Sequence, residues 1–250
     1  MMVRSACAGD IPALTALWQE AFGDAPAQIR LFFDHGFSPD RSLVLEDGEL
    51  AAACYWFDCW LENKKLAYLY AVAVKKSHRG QGLGRRIMEE VHQHLFQQGH
   101  DAVVLVPGEE SLFAWYATMG YVPCSPMITE TVTAGGFTRL QSIPPQEYAA
   151  LRRVFLPAGG VVQEGENLAY MAAMFRFYRG DGFILAAARA GSEVFVPEIL
   201  GQAELPTVTA ALGATTGTFR RSGPGKCYAM VRPLRDFQPK ELTWFGWAFD

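Results

Sequence analysis

Three glycines alternate in the run Arg79-Gly80-Gln81-Gly82-Leu83-Gly84-Arg85, and this short stretch constrains the chain more than any other. It follows residues 65–74, a stretch rich in tyrosine and valine that reads as a strand. It opens residues 82–96, where Leu83, Ile87, Val91 and Leu95 recur every four positions on one helix face before Gly99 ends the pattern. Glycine lets backbone approach an anion closely and aim successive N–H groups at it. The aligned peptide dipoles of a helix start add about half a positive charge. Arg79 and Arg85 can contribute charge-assisted hydrogen bonds. A strand, a basic loop, this turn and a helix together predict a pyrophosphate site.

Two better-known phosphate sites do not fit the spacing. A P-loop needs Lys-Ser/Thr directly after its last glycine, and here Arg85-Arg86 follow Gly84. A dinucleotide fingerprint opens straight from its strand with Gly-x-Gly-x-x-Gly, whereas Gly80 and Gly82 come after a long basic loop and are followed by Arg85. Asp101 lies at a suitable distance for a ribose carboxylate, but in the wrong register. A turn whose glycines serve only to reverse the chain is the remaining alternative, and the flanking arginines argue against it.

The surrounding pattern alternates helices and strands. Asp10 reads as the cap of a helix carrying Leu14, Leu17, Trp18 and Phe22, and Asp24-Ala25-Pro26 starts a second one. Residues 43–45 and 50–57 predict a hairpin about Asp47-Gly48. Residues 102–106 predict a strand, 110–119 a helix, and Tyr121-Val122-Pro123 the start of a further strand. In the second half, helices are expected at 145–155, 167–178 and 205–212, a hairpin at 183–200 and a strand at 227–231. That order repeats the first half without a phosphate turn, because Leu200-Gly201-Gln202 is too short to wrap one. Pro, Thr and Gly accumulate between Cys124 and Ser142, so the expectation is two units, residues 1–128 and 129–250.

The 250 residues are half apolar, enough for a large core, with a formal net charge of only −4. No basic field points to nucleic acid. Residues 1–10 show neither the basic start nor the apolar run of a signal peptide, and no stretch reaches the roughly 20 apolar residues of a membrane span. The five cysteines are scattered, with no Cys-x-x-Cys pair. A cytoplasmic protein without disulfides or a structural metal is expected.

The pattern Arg/Gln-x-x-Gly-x-Gly/Ala after a strand resembles the central motif of the GNAT acetyltransferase superfamily, and residues 79–84 match it throughout. The family's second signature, an aromatic-Tyr-x-x-x-Gly-aromatic run, is matched by Trp115-Tyr116-Ala117-Thr118-Met119-Gly120-Tyr121. The element order of residues 1–124 also resembles that fold, and the second half looks like a degenerate copy. The resemblance implies an α/β (α+β) fold with a mixed, splayed central sheet flanked by helices and a second, smaller GNAT-like lobe. It further implies acetyl-CoA as co-substrate and no metal, with one cofactor per chain. Val72, Ala73 and Val74 would pair with the pantetheine arm through their backbone. Arg79, Gly80, Gln81, Gly82, Leu83, Gly84 and Arg85 would hold the pyrophosphate.

The implied reaction is direct attack of a primary amine on the acetyl thioester. The backbone N–H of Val74 is the expected donor to the developing oxyanion. Tyr116, matching the motif tyrosine, is the expected general acid. Glu109 is a candidate base, with Glu110 beside it at the same helix start. Asp250 is another: in two-lobed members of the aminoglycoside-modifying survival-factor type, the terminal carboxylate enters the active site. His78 is a weaker candidate, and His92 and His94, two apart on a helix, face different sides and make a poor metal pair. The acceptor groove is expected among Phe32, Phe33, Tyr55, Trp56, Asp58, Trp60 and Glu62, where aromatics and carboxylates suit an amine on a small molecule or peptide. The alternative is a non-catalytic acyl-CoA-binding module whose second half serves as a partner or homodimer surface. Neither nucleic acid nor membrane is an expected partner.

Overall fold

A computed structural model describes residues 1–249 of the chain. The first half runs β1 (Met2–Ser5), α1 (Ile11–Phe22), α2 (Pro26–His35), β2 (Ser42–Glu46), β3 (Leu50–Leu61), β4 (Lys64–Val74), α3 (Leu83–Gln97), β5 (Ala102–Leu105), α4 (Glu110–Ala117) and β6 (Val122–Thr133). The second continues with β7 (Gln141–Ile143), α5 (Pro145–Phe155), α6 (Glu166–Met174), β8 (Arg176–Gly180), β9 (Phe183–Ala190), β10 (Glu193–Gly201), α7 (Leu205–Ala211), β11 (Thr216–Ser222) and β12 (Lys226–Pro233).

Twelve strands form one sheet in the order β1-β2-β3-β4-β5-β12-β6-β11-β10-β9-β8-β7. Strand β12, late in the chain, inserts between β5 and β6, pairing Met230 with Leu105 on one side and with Pro123 on the other. Strand β6 pairs with β12 through Met127 and with β11 from Met127 to Thr133. Residue 128, the boundary expected from sequence, therefore falls inside a continuous strand. Helices α1, α2, α5 and α6 and the tail cover one face through two clusters that share Tyr228 and Phe249. Helices α3 and α4 cover the other face beside β3–β5, and α7 covers it beside β11.

Two parallel pairs part midway. β4 and β5 pair through Leu66–Leu69 and Ala102–Leu105, after which β4 runs on to Val74. β10 and β11 pair from Glu193 to Val196 and from Thr216 to Phe219, and then diverge as well.

The structure departs from the sequence reading in three places. The helix expected over 167–178 ends at Met174, and Arg176–Gly180 joins the sheet. There Phe177 packs into the tail-side core while Tyr178, next to it, packs against the opposite cluster, a two-sided alternation that a strand provides. Strands β1, β7 and β11 were not evident, because none is a continuous apolar run. Asp10 does not cap α1 by hydrogen bond; its carboxylate binds the Arg4 guanidinium at 2.7 and 2.9 Å and accepts from the Cys7 N–H.

Candidate active site

The end of β4 is shaped by a bulge. Side chains of Leu66, Tyr68 and Tyr70 face the α1/α2 core and those of Ala67 and Leu69 face α3, as alternation requires. Ala71 then takes φ 49°, and the register with β3 shifts between Ala53 and Tyr55. Ala71 consequently stays on the α1/α2 face beside Tyr70, and beyond it Val72 and Val74 face α3 while Ala73 faces α1/α2.

The backbone beyond the bulge has a direction as well. The Lys75 N–H donates to the Ala51 carbonyl at 2.8 Å, which makes those residues the hydrogen-bonded pair of the β3–β4 ladder. By alternation, Val74, opposite Ala52, turns its N–H and C=O away from β3, and Val72 does the same. Both point into the gap left where β5 departs, whereas Ala73 is directed at β3. Part of the Val74 carbonyl's capacity is taken by Arg79 Nε at 3.0 Å.

The glycine turn sits at the mouth of this gap. Gly80 (φ 76°) and Gly82 (φ 78°) are both left-handed, a conformation that favours glycine, and open space surrounds each Cα. Gly82 is the N-cap of α3, and no side chain caps the helix, so the first-turn N–H groups face outward. Arg85 Nη2 donates to Thr118 Oγ1 at 2.6 Å, and Gly84 lies in the angle between Val74 and Trp115. The two sequence motifs thus meet in space through Arg85–Thr118 and Gly84–Trp115. Gln81 is turned back on the loop by a 3.3 Å bond to the Ser77 carbonyl.

Tyr116 is buried in the cluster that also holds Leu83, Val72 and Val74, edge-on to Trp115 and Tyr121. Its hydroxyl makes no hydrogen bond among the described residues, and burial pushes its pKa up. Glu109 is the exposed N-cap position of α4 and accepts from Ser111 Oγ at 3.2 Å. Both Glu109 and Glu110 line a cavity of about 380 Å³ at the end of β5, together with Pro107, Phe113, Cys227 and Tyr228. Glu110 is ion-paired with Lys226. Asp250 lies outside the described residues.

On the opposite side of β4 the expected acceptor residues divide. Phe32 and Tyr55 are buried in the α1/α2 core, and Phe33 packs at its edge. Trp56 faces the other way, against His94 of α3. Burial raises the Asp58 carboxyl, but the hydrogen bond from His100 and the charge of Lys65 outweigh it and hold the pKa below its usual value. Trp60 forms a backbone bridge to Val162, and Glu62 (φ 53°) makes the β3–β4 turn.

Sequence reasoning did not anticipate that five residues gather here. Tyr70 of β4 and Tyr170 of α6 bring their hydroxyls to 3.2 Å, Phe249 lies over both rings, and Trp18 Nε1 donates to Asp24 Oδ2 at 2.8 Å. Tyr70 carries a local signal, since Tyr68 and Tyr70 alternate on the strand. Tyr170 carries none, because its neighbours come from distant parts of the chain.

The histidines are occupied structurally. His92 is buried, bonds Tyr121 at 2.7 Å and meets Arg232 of β12; burial, then the Arg232 charge, lowers its pKa to about 3. His78 contacts Ser77 Oγ. Among the described residues, no three His, Cys, Asp or Glu side chains gather as metal ligands, and no helix is long and apolar enough to cross a membrane.

Comparison with known proteins agrees with this geometry. A family model described as an acetyltransferase (GNAT) domain matches residues 2–124. No curated protein sequence matches the chain significantly. A GCN5-related N-acetyltransferase from Anabaena variabilis ATCC 29413 has a similar fold, at 14% identity and TM-score 0.73, over 93% of this chain and 72% of that one. Another from Kribbella flavida is similar at 16% identity and TM-score 0.70, over 93% and 70%. A putative acetyltransferase from Pyrococcus horikoshii is similar nearly end to end, at 12% identity and TM-score 0.66, over 99% of this chain and 94% of that one. Residues 2–124 thus match the GNAT acetyltransferase domain family, and they supply strands β1–β5 and the start of β6 of the sheet.

Proposed function

We propose that the chain is an N-acetyltransferase that moves an acetyl group from acetyl-CoA to a primary amine. The observation that carries this reading is the gap beside β4: Val72 and Val74 backbone facing away from β3 on one wall, and an uncapped, glycine-lined helix start at its mouth. These features fit the cofactor. The gap-facing N–H and C=O groups suit a pantetheine arm as an added strand would be suited, and the amides of 80–85 with Arg85 suit a pyrophosphate. Acetyl-CoA, when bound, supplies the activated acyl group.

The chain's own groups then have distinct tasks. The Val74 N–H donates to the oxygen on which charge develops, in a site from which water is excluded. The amine nitrogen forms a bond to the acyl carbon as the carbon–sulfur bond breaks, and the nitrogen loses a proton. Tyr116, with its hydroxyl free of other partners among the described residues, is the proton donor to the departing thiolate. Its raised pKa keeps it protonated until that moment. Glu109, at the rim, and Asp250 are the proposed routes for the amine proton. We read residues 129–250 as a degenerate copy of the first half, on the repeated splay of β10 from β11, with the single cofactor site in residues 1–128.

Release of free thiol from acetyl-CoA across a panel of primary amines tests the activity. Tyr116→Phe should lower kcat at least 100-fold while the dissociation constant for acetyl-CoA stays within about twofold. Unchanged turnover removes Tyr116 from the mechanism, and binding without turnover on any amine favours the acyl-CoA-binding module.

A further inference from the structure

The face of β4 opposite Val72 and Val74 carries an aromatic wall with one charge in it. The bulge at Ala71 keeps Tyr70 and Ala71 side by side on that face, next to the gap. Trp18 of α1 packs on Tyr70 at 5.4 Å, and Tyr170 and Phe249 reach it from the second half at 6.0 and 5.5 Å. Phe33 borders Trp18 at 6.3 Å. Tyr70, Phe33, Phe249 and Ala71 are only partly buried, so the wall retains an open side.

Asp24 is the counter-charge. Trp18 Nε1 holds its carboxylate at 2.8 Å, and no lysine or arginine pairs with it among the described residues. Its charge reaches both phenols of the wall, adding to the burial that raises their pKa values. Of the other carboxylates nearby, Asp58 is matched by His100 and Lys65 and Glu166 by Arg41, while Glu20 accepts from the Lys76 N–H at the basic loop.

We infer that this wall is the acceptor subsite and that it selects a single ammonium group on a flat apolar body. The inference rests on the acetyltransferase reading and deepens it by naming the acceptor class. Ring faces attract a cation and bury an apolar body, and one unpaired carboxylate balances one charge. A polyamine or aminoglycoside would press its further ammonium groups against aromatic rings, losing hydration without a partner. Tyr170 and Phe249 make the second half a determinant of specificity, although the cofactor turn lies in the first.

The test uses the full chain with phenethylamine, spermidine and kanamycin as probes. Turnover with acetyl-CoA should favour phenethylamine over the other two by at least tenfold in kcat/KM. Asp24→Asn keeps an oxygen to accept from Trp18 and removes only the charge; it should raise the phenethylamine KM about tenfold with kcat unchanged. Tyr170→Phe should have an effect below threefold, and Tyr170→Ala should raise KM like Asp24→Asn. Direct titration of phenethylamine, read without acetyl-CoA, separates the two ideas. Binding that Asp24→Asn weakens, with no turnover, removes the acetyltransferase reading and leaves the subsite. Preference for spermidine or kanamycin, or phenethylamine affinity indifferent to Asp24→Asn, overturns the subsite.

Discussion

Strands β4 and β5 pair in parallel over four residues and part; β10 and β11 do the same in the second half of the sheet. Both leading strands carry a bulge against their antiparallel neighbour, between Ala53 and Tyr55 opposite β4 and between Phe195 and Glu198 in β10. What lies at the two bulges is opposite in kind. At the first, Tyr70 and Ala71 border a gap whose backbone groups remain available. At the second, Glu198 is fully buried and saturated, accepting from Arg152 Nε and Nη2, Tyr148 Oη and Trp244 Nε1 at 2.7–3.0 Å. Arg152 in turn donates to the Val161 carbonyl and Gln163, and stacks on Trp247 at 4.3 Å.

The glycines show the same contrast. Gly80 and Gly82 have nothing near them. Gly201, before α7, is left-handed at φ 94°, a side chain there would collide with the Gly182 carbonyl, and the Gln202 N–H is bonded to that same carbonyl. Helix α7 is short and starts at Glu204 and Leu205-Pro206, an acidic cap followed by a residue without an N–H. The first splay leaves backbone of β4 facing its gap, whereas the second carries a buried ion-pair network at its bulge, beside a cavity of about 380 Å³ lined by Ile199, Gly201, Glu204 and Arg221. A sheet architecture can therefore recur in one chain while the features that bind an anion do not.

The largest effect should come from breaking the buried pair at the second bulge. Glu198→Ala leaves a buried guanidinium without its counter-charge and should cost about 3–5 kcal/mol of stability. The expected outcome is a large fall in Tm by calorimetry; a variant as stable as the parent would mean the pair does not hold the second half together. Gly201→Ala should cost about 2–4 kcal/mol from overpacking and left-handed strain. Acetyl-CoA affinity should nevertheless stay within twofold in the folded fraction, since this turn contacts no cofactor. A selective loss of affinity there would erase the distinction between the halves.

The legible parts of the molecule were local ones. The glycine turn, helix α3 and the Trp115–Tyr121 signature are set by residues within a few positions of one another, and they appear where the periodicity placed them. Sheet order depends on contacts far apart in sequence: nothing near Cys227 signals that β12 pairs with β5, more than a hundred residues earlier. Strand β8 was masked because Phe177 and Tyr178 extend an apolar pattern begun in α6. The wall suffered most, since Tyr70, Tyr170, Asp24 and Phe249 meet only through the tertiary fold. Trp56 was assigned to the acceptor face because a continuous apolar strand does not reveal which side each residue takes.

The central claim, one cofactor cradle in the first half only, is tested most directly by isothermal titration of acetyl-CoA into the parent chain and Gly82→Val. A β-branched residue resists the left-handed φ of 78°, so the cradle should deform while the open surroundings spare the core. The account predicts one site per chain in the parent, an affinity at least 100-fold lower in the variant, and a fall in Tm smaller than that of Gly201→Ala. Two sites per chain, or undiminished affinity in Gly82→Val, would contradict it.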